Sequence, residues 1–150
     1  MITSEKIKNL RLKTGAGMMD CKKALEEVNG DIDRAIDQLR KKGISTAQKK
    51  SSRDASEGLI TISINGNTAS IVEVNSETDF VARNNEFQIF CKQISEIIAK
   101  NKIRNLEDLN LFKIDDGAGL SVSEELTSLI AKVGENLIIK RLELVCEEKT

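Results

Sequence analysis

The stretch GLITISINGNTASIVEV, residues 58–74, alternates apolar and polar side chains on both sides of an Asn-Gly pair. A period of two is the signature of a half-buried strand rather than a helix. Asn-Gly at 65–66 is the two-residue signal of a type I′ hairpin. A turn closed there sets a register. Ile62 faces Ala69 and Ile60 faces Ile71 on one side, while Thr61 with Ser70 and Ser63 with Thr68 occupy the other, so that one face is buried and one wet.

The chain downstream changes period. After NSETDFVARNN, residues 75–85, a helix is expected to begin beyond Asn85, with Phe87, Phe90, Ile94, Ile97 and Ile98 inward. A less regular stretch follows. SVSEELTSLIAKVG, residues 121–134, then presents a capping box from Ser121 to Glu124, an inner row of Leu126, Leu129, Ile130 and Val133, and a terminal Gly134. ENLIIKRLELV, residues 135–145, reads as a third strand returning to the hairpin. The expected class is α+β, an antiparallel sheet of about three strands packed with helices.

Upstream, three short helices are expected in residues 3–42. Thr3 suits an N-cap, Ile2 and Ile7 form a hydrophobic staple around it, and KTGAG stops the first helix. The second starts near Met18, with Met18, Cys21, Leu25 and Val28 as its inner stripe. Adjacent helical residues point about 100° apart, so Met19 falls on the flank, where a thioether offers an adaptable contact. Asp31 caps the third helix, Ile32, Ala35, Ile36 and Leu39 turn inward, and Gly43 ends it. The expected division is a three-helix module at 1–43, a linker at 44–57 built from ISTAQKKSSRDASE, and an α+β core at 58–150.

Composition narrows the functional classes. The chain of 150 residues contains no His, Trp, Tyr or Pro, which removes the commonest general base and the commonest zinc nitrogen ligand. It carries no nucleophile elbow or phosphate-cradling loop, and the Gly-Ala-Gly of GAGMMD lacks the preceding strand a dinucleotide turn requires. A non-enzyme without a cofactor or metal of its own is expected. Cys21, Cys91 and Cys146 are odd in number and far apart, fitting neither a disulfide framework nor a zinc site. Residues 1–53 hold 13 Lys and Arg against 7 Asp and Glu, a net +6, and residues 54–150 hold 10 against 17, a net −7. The basic charges alternate with acids and no aromatic interleaves them, which argues against nucleic acid. No apolar run is long enough for a membrane span, and no signal or transit peptide is evident at the N-terminus, so a cytoplasmic location is expected.

One aromatic reads two ways: a Phe beside a helix start usually tucks into its own core, yet the core already has Phe87 and Phe90 and the connection that holds Phe80 is too polar to bury a ring readily. Phe80 sits in the polar connection after the second strand, where Thr78 or Ser76 can cap a helical turn and Asp79 can favour its amide ends. An exposed ring on a rigid turn is shaped for another protein's pocket.

LRLKTGAGMMDCKKALEEVNGDIDRAIDQLRKKG, then VNSETDFVARN, then IAKVGEN, resemble elongation factor Ts, the bacterial guanine nucleotide exchange factor family acting on the GTPase elongation factor Tu. The match is ordered and spans nearly the whole chain. The resemblance implies a ubiquitin-associated-like N-terminal module and an α+β core. It implies that Phe80, with Thr78, Asp79 and Val81 around it, enters the partner's nucleotide-binding domain and displaces its magnesium site. It implies docking through Arg11, Met18 and Met19, with Gly134 and Glu135 in a segment that also approaches the partner. Longer family members continue into a second half of the core, whereas this chain stops at LVCEEKT, as a fragment or a short form would; homo-oligomerisation is left open. The alternative is an adaptor whose three-helix module binds another protein, for which residues 1–43 alone would suffice.

Overall fold

A computed structural model describes residues 1–115 and 119–147 of the chain. Three helices come first: α1 (Ser4–Thr14), α2 (Met18–Glu27) and α3 (Ile32–Lys50). The hairpin β1 (Glu57–Asn65) and β2 (Thr68–Ser76) follows, then α4 (Asp79–Ala82), α5 (Asn85–Asn101), α6 (Leu106–Leu111), α7 (Val122–Val133) and β3 (Ile138–Cys146). The three strands form one antiparallel sheet in the order β1-β2-β3. The class is α+β.

The local stop and start signals act as expected. Thr3 Oγ1 accepts the Lys6 amide at the head of α1, Asp31 caps α3 through the Arg34 amide, and Ser121 and Glu124 close a reciprocal capping box on α7. Each cap satisfies an amide that the helix itself leaves without a partner.

The hairpin register differs from the sequence expectation by one position of the turn. Asn65 pairs with Thr68, Ile62 with Ile71 and Ser63 with Ser70. The two turn residues are therefore Gly66 and Asn67, and Gly66 takes a φ of +60°, as a type II′ turn with glycine in its first central position requires. A contact outside the hairpin favours this frame. Asn67 donates its side-chain amide to the Glu147 carbonyl and accepts the Glu147 amide, tying the turn to the end of β3.

The buried face is the one rich in hydroxyls. Thr68, Ser70, Val72 and Val74 point into the protein, while Ile60, Ile62, Ile64 and Ile71 stand exposed on the other side. Helix α5 explains this choice. Ser95 lies fully buried against the sheet, its hydroxyl 2.6 Å from that of Ser63, and the Ser70 hydroxyl donates to the Ser95 carbonyl at 2.7 Å. Small side chains with mutually satisfied hydroxyls let the helix approach closely without leaving a polar group unpaired. Around this contact Phe87, Ile94, Ile98, Leu109, Val122 and Ile130 complete the larger core.

The smaller core lies among α1, α2 and α3 and contains Leu10, Cys21, Ala24, Leu25 and Ala35. Met18, expected in this row, is instead 49% exposed. It is the first residue of α2 and lines a groove between the module and the larger core. Cys21 and Cys91 are buried and Cys146 half-buried; burial pushes the Cys91 thiol up to about 12, so it stays protonated and packs as a small hydrophobe.

Helix α3 does not stop at Gly43. It runs to Lys50, so the first half of the expected linker is helical. Gly43 is buried where α3 crosses α7, and a methyl group there would meet the Ala131 side chain at 3.6 Å, an ordinary contact. The packing between helices overrides the weak helix propensity of glycine. Gly43→Ala is therefore expected to stabilise the chain by roughly 0.5–1 kcal/mol, read as a rise in the urea midpoint. A loss of stability would mean that the α3–α7 contact has no room for a methyl group.

Candidate functional site

The connection between β2 and α5 is built around Thr78. Its backbone is extended, and its Oγ1 caps the single turn α4 by accepting the Val81 amide at 3.4 Å. One turn of helix cannot persist by propensity alone, because the cost of nucleation is not recovered over four residues. Its support comes from the segment that joins α7 to β3. The Glu135 carboxylate accepts the Thr78 amide at 3.1 Å and the Thr78 hydroxyl at 2.7 Å. The Glu77 carboxylate reaches the opposite way and accepts the Asn136 amide at 2.7 Å. Arg53 stands 3.6 Å from Glu77, and the buried Asn136 side chain donates to the Arg53 carbonyl at 2.8 Å.

This frame holds a ring that has no home inside the protein. Phe80 is 80% exposed, whereas Val81 is half-buried and packs on the larger core with Ala82. Asp79, also exposed, pairs with Arg83 one turn on at 3.5 Å. The turn thus has an apolar tip on a polar, hydrogen-bonded base.

Phe80 and Val81 open onto a broad groove between the helical module and the larger core, and Arg11, Leu12 and Met18 line the same groove from the module. Lys132 of α7 crosses it, extending over Gly15 to pair with Glu86 at 3.2 Å. Met19, beside Met18 in the chain, is exposed. Gly134 forms the αL cap of α7 and directs Glu135 inward to Thr78.

Of the residues singled out in the sequence, Phe80, Val81, Arg11 and Met18 line this groove, and Thr78 lies at the base of the turn behind it. Glu135 serves the base of the turn, with both carboxylate oxygens engaged inside the chain. Sequence reading missed Leu12, an exposed aliphatic residue beside Arg11, and the group Arg53, Glu77 and Asn136. The only sequence signal for Leu12 was a large apolar residue off the inner face of α1. Glu77 and Asn136 lie 59 positions apart, and no local pattern connects them.

Among the described residues no helix is long and apolar enough to cross a membrane. Residues 77–150 match the family model described as elongation factor TS. The matched span includes the turn at 78–81 and the segment at 134–136, and the helical module lies outside it.

Proposed function

Since the chain belongs, through residues 77–150, to the elongation factor Ts family of translation elongation factors, we propose that it is a nucleotide exchange factor for elongation factor Tu. It binds the GDP-bound GTPase and promotes release of GDP. Phe80 enters the partner's nucleotide-binding domain and disturbs its magnesium site, with Thr78, Asp79 and Val81 shaping the turn behind the ring. Arg11, Met18 and Met19 dock the module beside it. The magnesium is the partner's. On this reading the chain acts in the bacterial cytoplasm, binds no nucleic acid and carries out no bond chemistry of its own.

The observation that carries the reading is the exposed Phe80 on a turn anchored by charged hydrogen bonds. Its energetic logic is linkage. A protein that binds the nucleotide-free GTPase more tightly than the GDP form weakens GDP binding by the same factor that GDP weakens its own. Couplings of about 1–3 kcal/mol speed release without changing the final balance of GDP and GTP.

Stopped-flow release of a fluorescent GDP analogue from elongation factor Tu tests the reading and its division of labour. Arg11→Ala and Met19→Ala are each expected to raise the half-saturating concentration a few fold, on the order of 1 kcal/mol, while leaving the saturating rate intact. Loss of the saturating rate in either variant would show that docking and exchange are not separate. A wild-type chain that did not accelerate release at all would overturn the function itself.

A further inference from the structure

We propose that Glu135 is a positioning residue: it aims the Phe80 ring by fixing both the backbone and the hydroxyl of Thr78. The proposal rests on the exchange-factor reading and assigns Glu135 a role inside the chain rather than on the docking surface.

The geometry favours this role over direct contact. Both carboxylate oxygens of Glu135 are occupied by Thr78, one by its amide at 3.1 Å and one by its hydroxyl at 2.7 Å. An ionised carboxylate only accepts hydrogen bonds. The Thr78 hydroxyl therefore donates its hydrogen to the carboxylate and keeps an oxygen lone pair for the Val81 amide, the bond that caps α4. A side chain that could donate would compete with that cap. The second carboxylate makes the arrangement reciprocal. Glu135 reaches from the 134–136 segment to Thr78, and Glu77 reaches from the β2 end back to the Asn136 amide. Two opposed carboxylates, accepting three hydrogen bonds between them, prevent the segments from sliding past each other, where a single bond would act as a pivot. Ser76 adds a third restraint by donating its hydroxyl to the Thr78 carbonyl at 2.8 Å.

Phe80 lies two residues beyond Thr78, makes no core contact, and so takes its direction from this base. A ring already aimed need not be ordered when the partner arrives. Loosening the base should leave the docking residues untouched and weaken the step that needs the ring in one place.

The test compares Glu135→Ala and Glu135→Gln, each in the wild-type and in the Phe80→Ala background. Saturating rate and half-saturating concentration for GDP release are measured, together with amide hydrogen exchange at Phe80 and Val81 in the free chain. Glu135→Ala is expected to lower the saturating rate by about tenfold, as small misplacements of a positioned group do, with a change of less than about twofold in half-saturating concentration. In the Phe80→Ala background it should cause no further loss, because there is no ring left to aim. Glu135→Gln, which keeps one acceptor oxygen, should fall between, and the Val81 amide should exchange faster in both variants. A raised half-saturating concentration with an intact saturating rate would overturn the proposal in favour of direct partner contact. An equal loss of rate in the Phe80→Ala background would also overturn it. If the wild-type chain released no GDP, the exchange reading would fall, and the amides would still decide the clamp: faster exchange at Val81 supports it and unchanged exchange overturns it.

Discussion

Replacing Phe80 by alanine is expected to lower the saturating acceleration of GDP release from elongation factor Tu by at least about tenfold, equivalent to roughly 1.4 kcal/mol, while changing the free energy of unfolding by less than about 1 kcal/mol. The two halves of that expectation come from one observation. The ring is 80% exposed and makes no contribution to the core, so its removal leaves no cavity. Phe87, seven residues on, is fully buried, and its replacement by alanine should cost roughly 3–5 kcal/mol. The pair forms an internal control, measured by thermal melts beside stopped-flow nucleotide release. If Phe80→Ala were as destabilising as Phe87→Ala, with unchanged exchange per folded molecule, the ring would belong to the protein's own packing and the proposed insertion would be wrong. Asp79→Ala should fall between on the exchange axis, since it removes the Arg83 pairing and the acidic charge at the head of α4 without removing the ring.

Gly58→Ala is expected to be the most damaging single methyl addition in the sheet, with a loss of at least about 2–3 kcal/mol. Gly58, the second residue of β1, sits opposite Asn75 with a φ of +139°, a region essentially closed to residues with a side chain. A methyl group there would lie 2.0 Å from the Val74 carbonyl oxygen and 2.8 Å from the Asn75 Cα. Both obstacles are backbone of the central strand, which cannot move aside as the end of a flexible side chain could. The same distortion would reach the site, because Asn75 and Ser76 lead directly into Thr78. Urea unfolding reads the stability loss, and nucleotide release per folded molecule reads the consequence for the turn. A loss under about 1 kcal/mol would mean that β1 can pair in a relaxed conformation, without the strain inferred here.

Much of this protein is written in short-range chemistry. The caps at Thr3, Asp31 and Ser121, the αL stop at Gly134 and the change from helical period to strand period near Gly58 involve groups within about four positions of each other, so their pattern is visible in the chain. The candidate turn was legible for the same reason: Thr78 caps it and Phe80 is a large apolar side chain in a polar run. Glycine misled at position 43, where its propensity suggests a stop and burial against α7 keeps the helix going. It misled again at Asn65-Gly66, where the Gly66-Asn67 frame competes and the distant Glu147 decides between them.

Sequence by itself determined the α+β class, the order of the helices and strands apart from α6, which lies in the stretch that read as irregular, and the residues presented on the Phe80 turn. Only the tertiary structure decided which face of the sheet is inside and what holds that turn. Hydropathy cannot make the first choice. The isoleucine face is the more apolar, yet Ser63 and Ser70 go inward because Ser95 of α5 meets their hydrogen bonds and lets the helix come close. Nor can spacing make the second, since Thr78 finds Glu135 across 57 positions and Glu77 finds Asn136 across 59. Hydrogen bonds of that span have no period and no local propensity; they exist only once α7 and β3 have brought their ends beside β2.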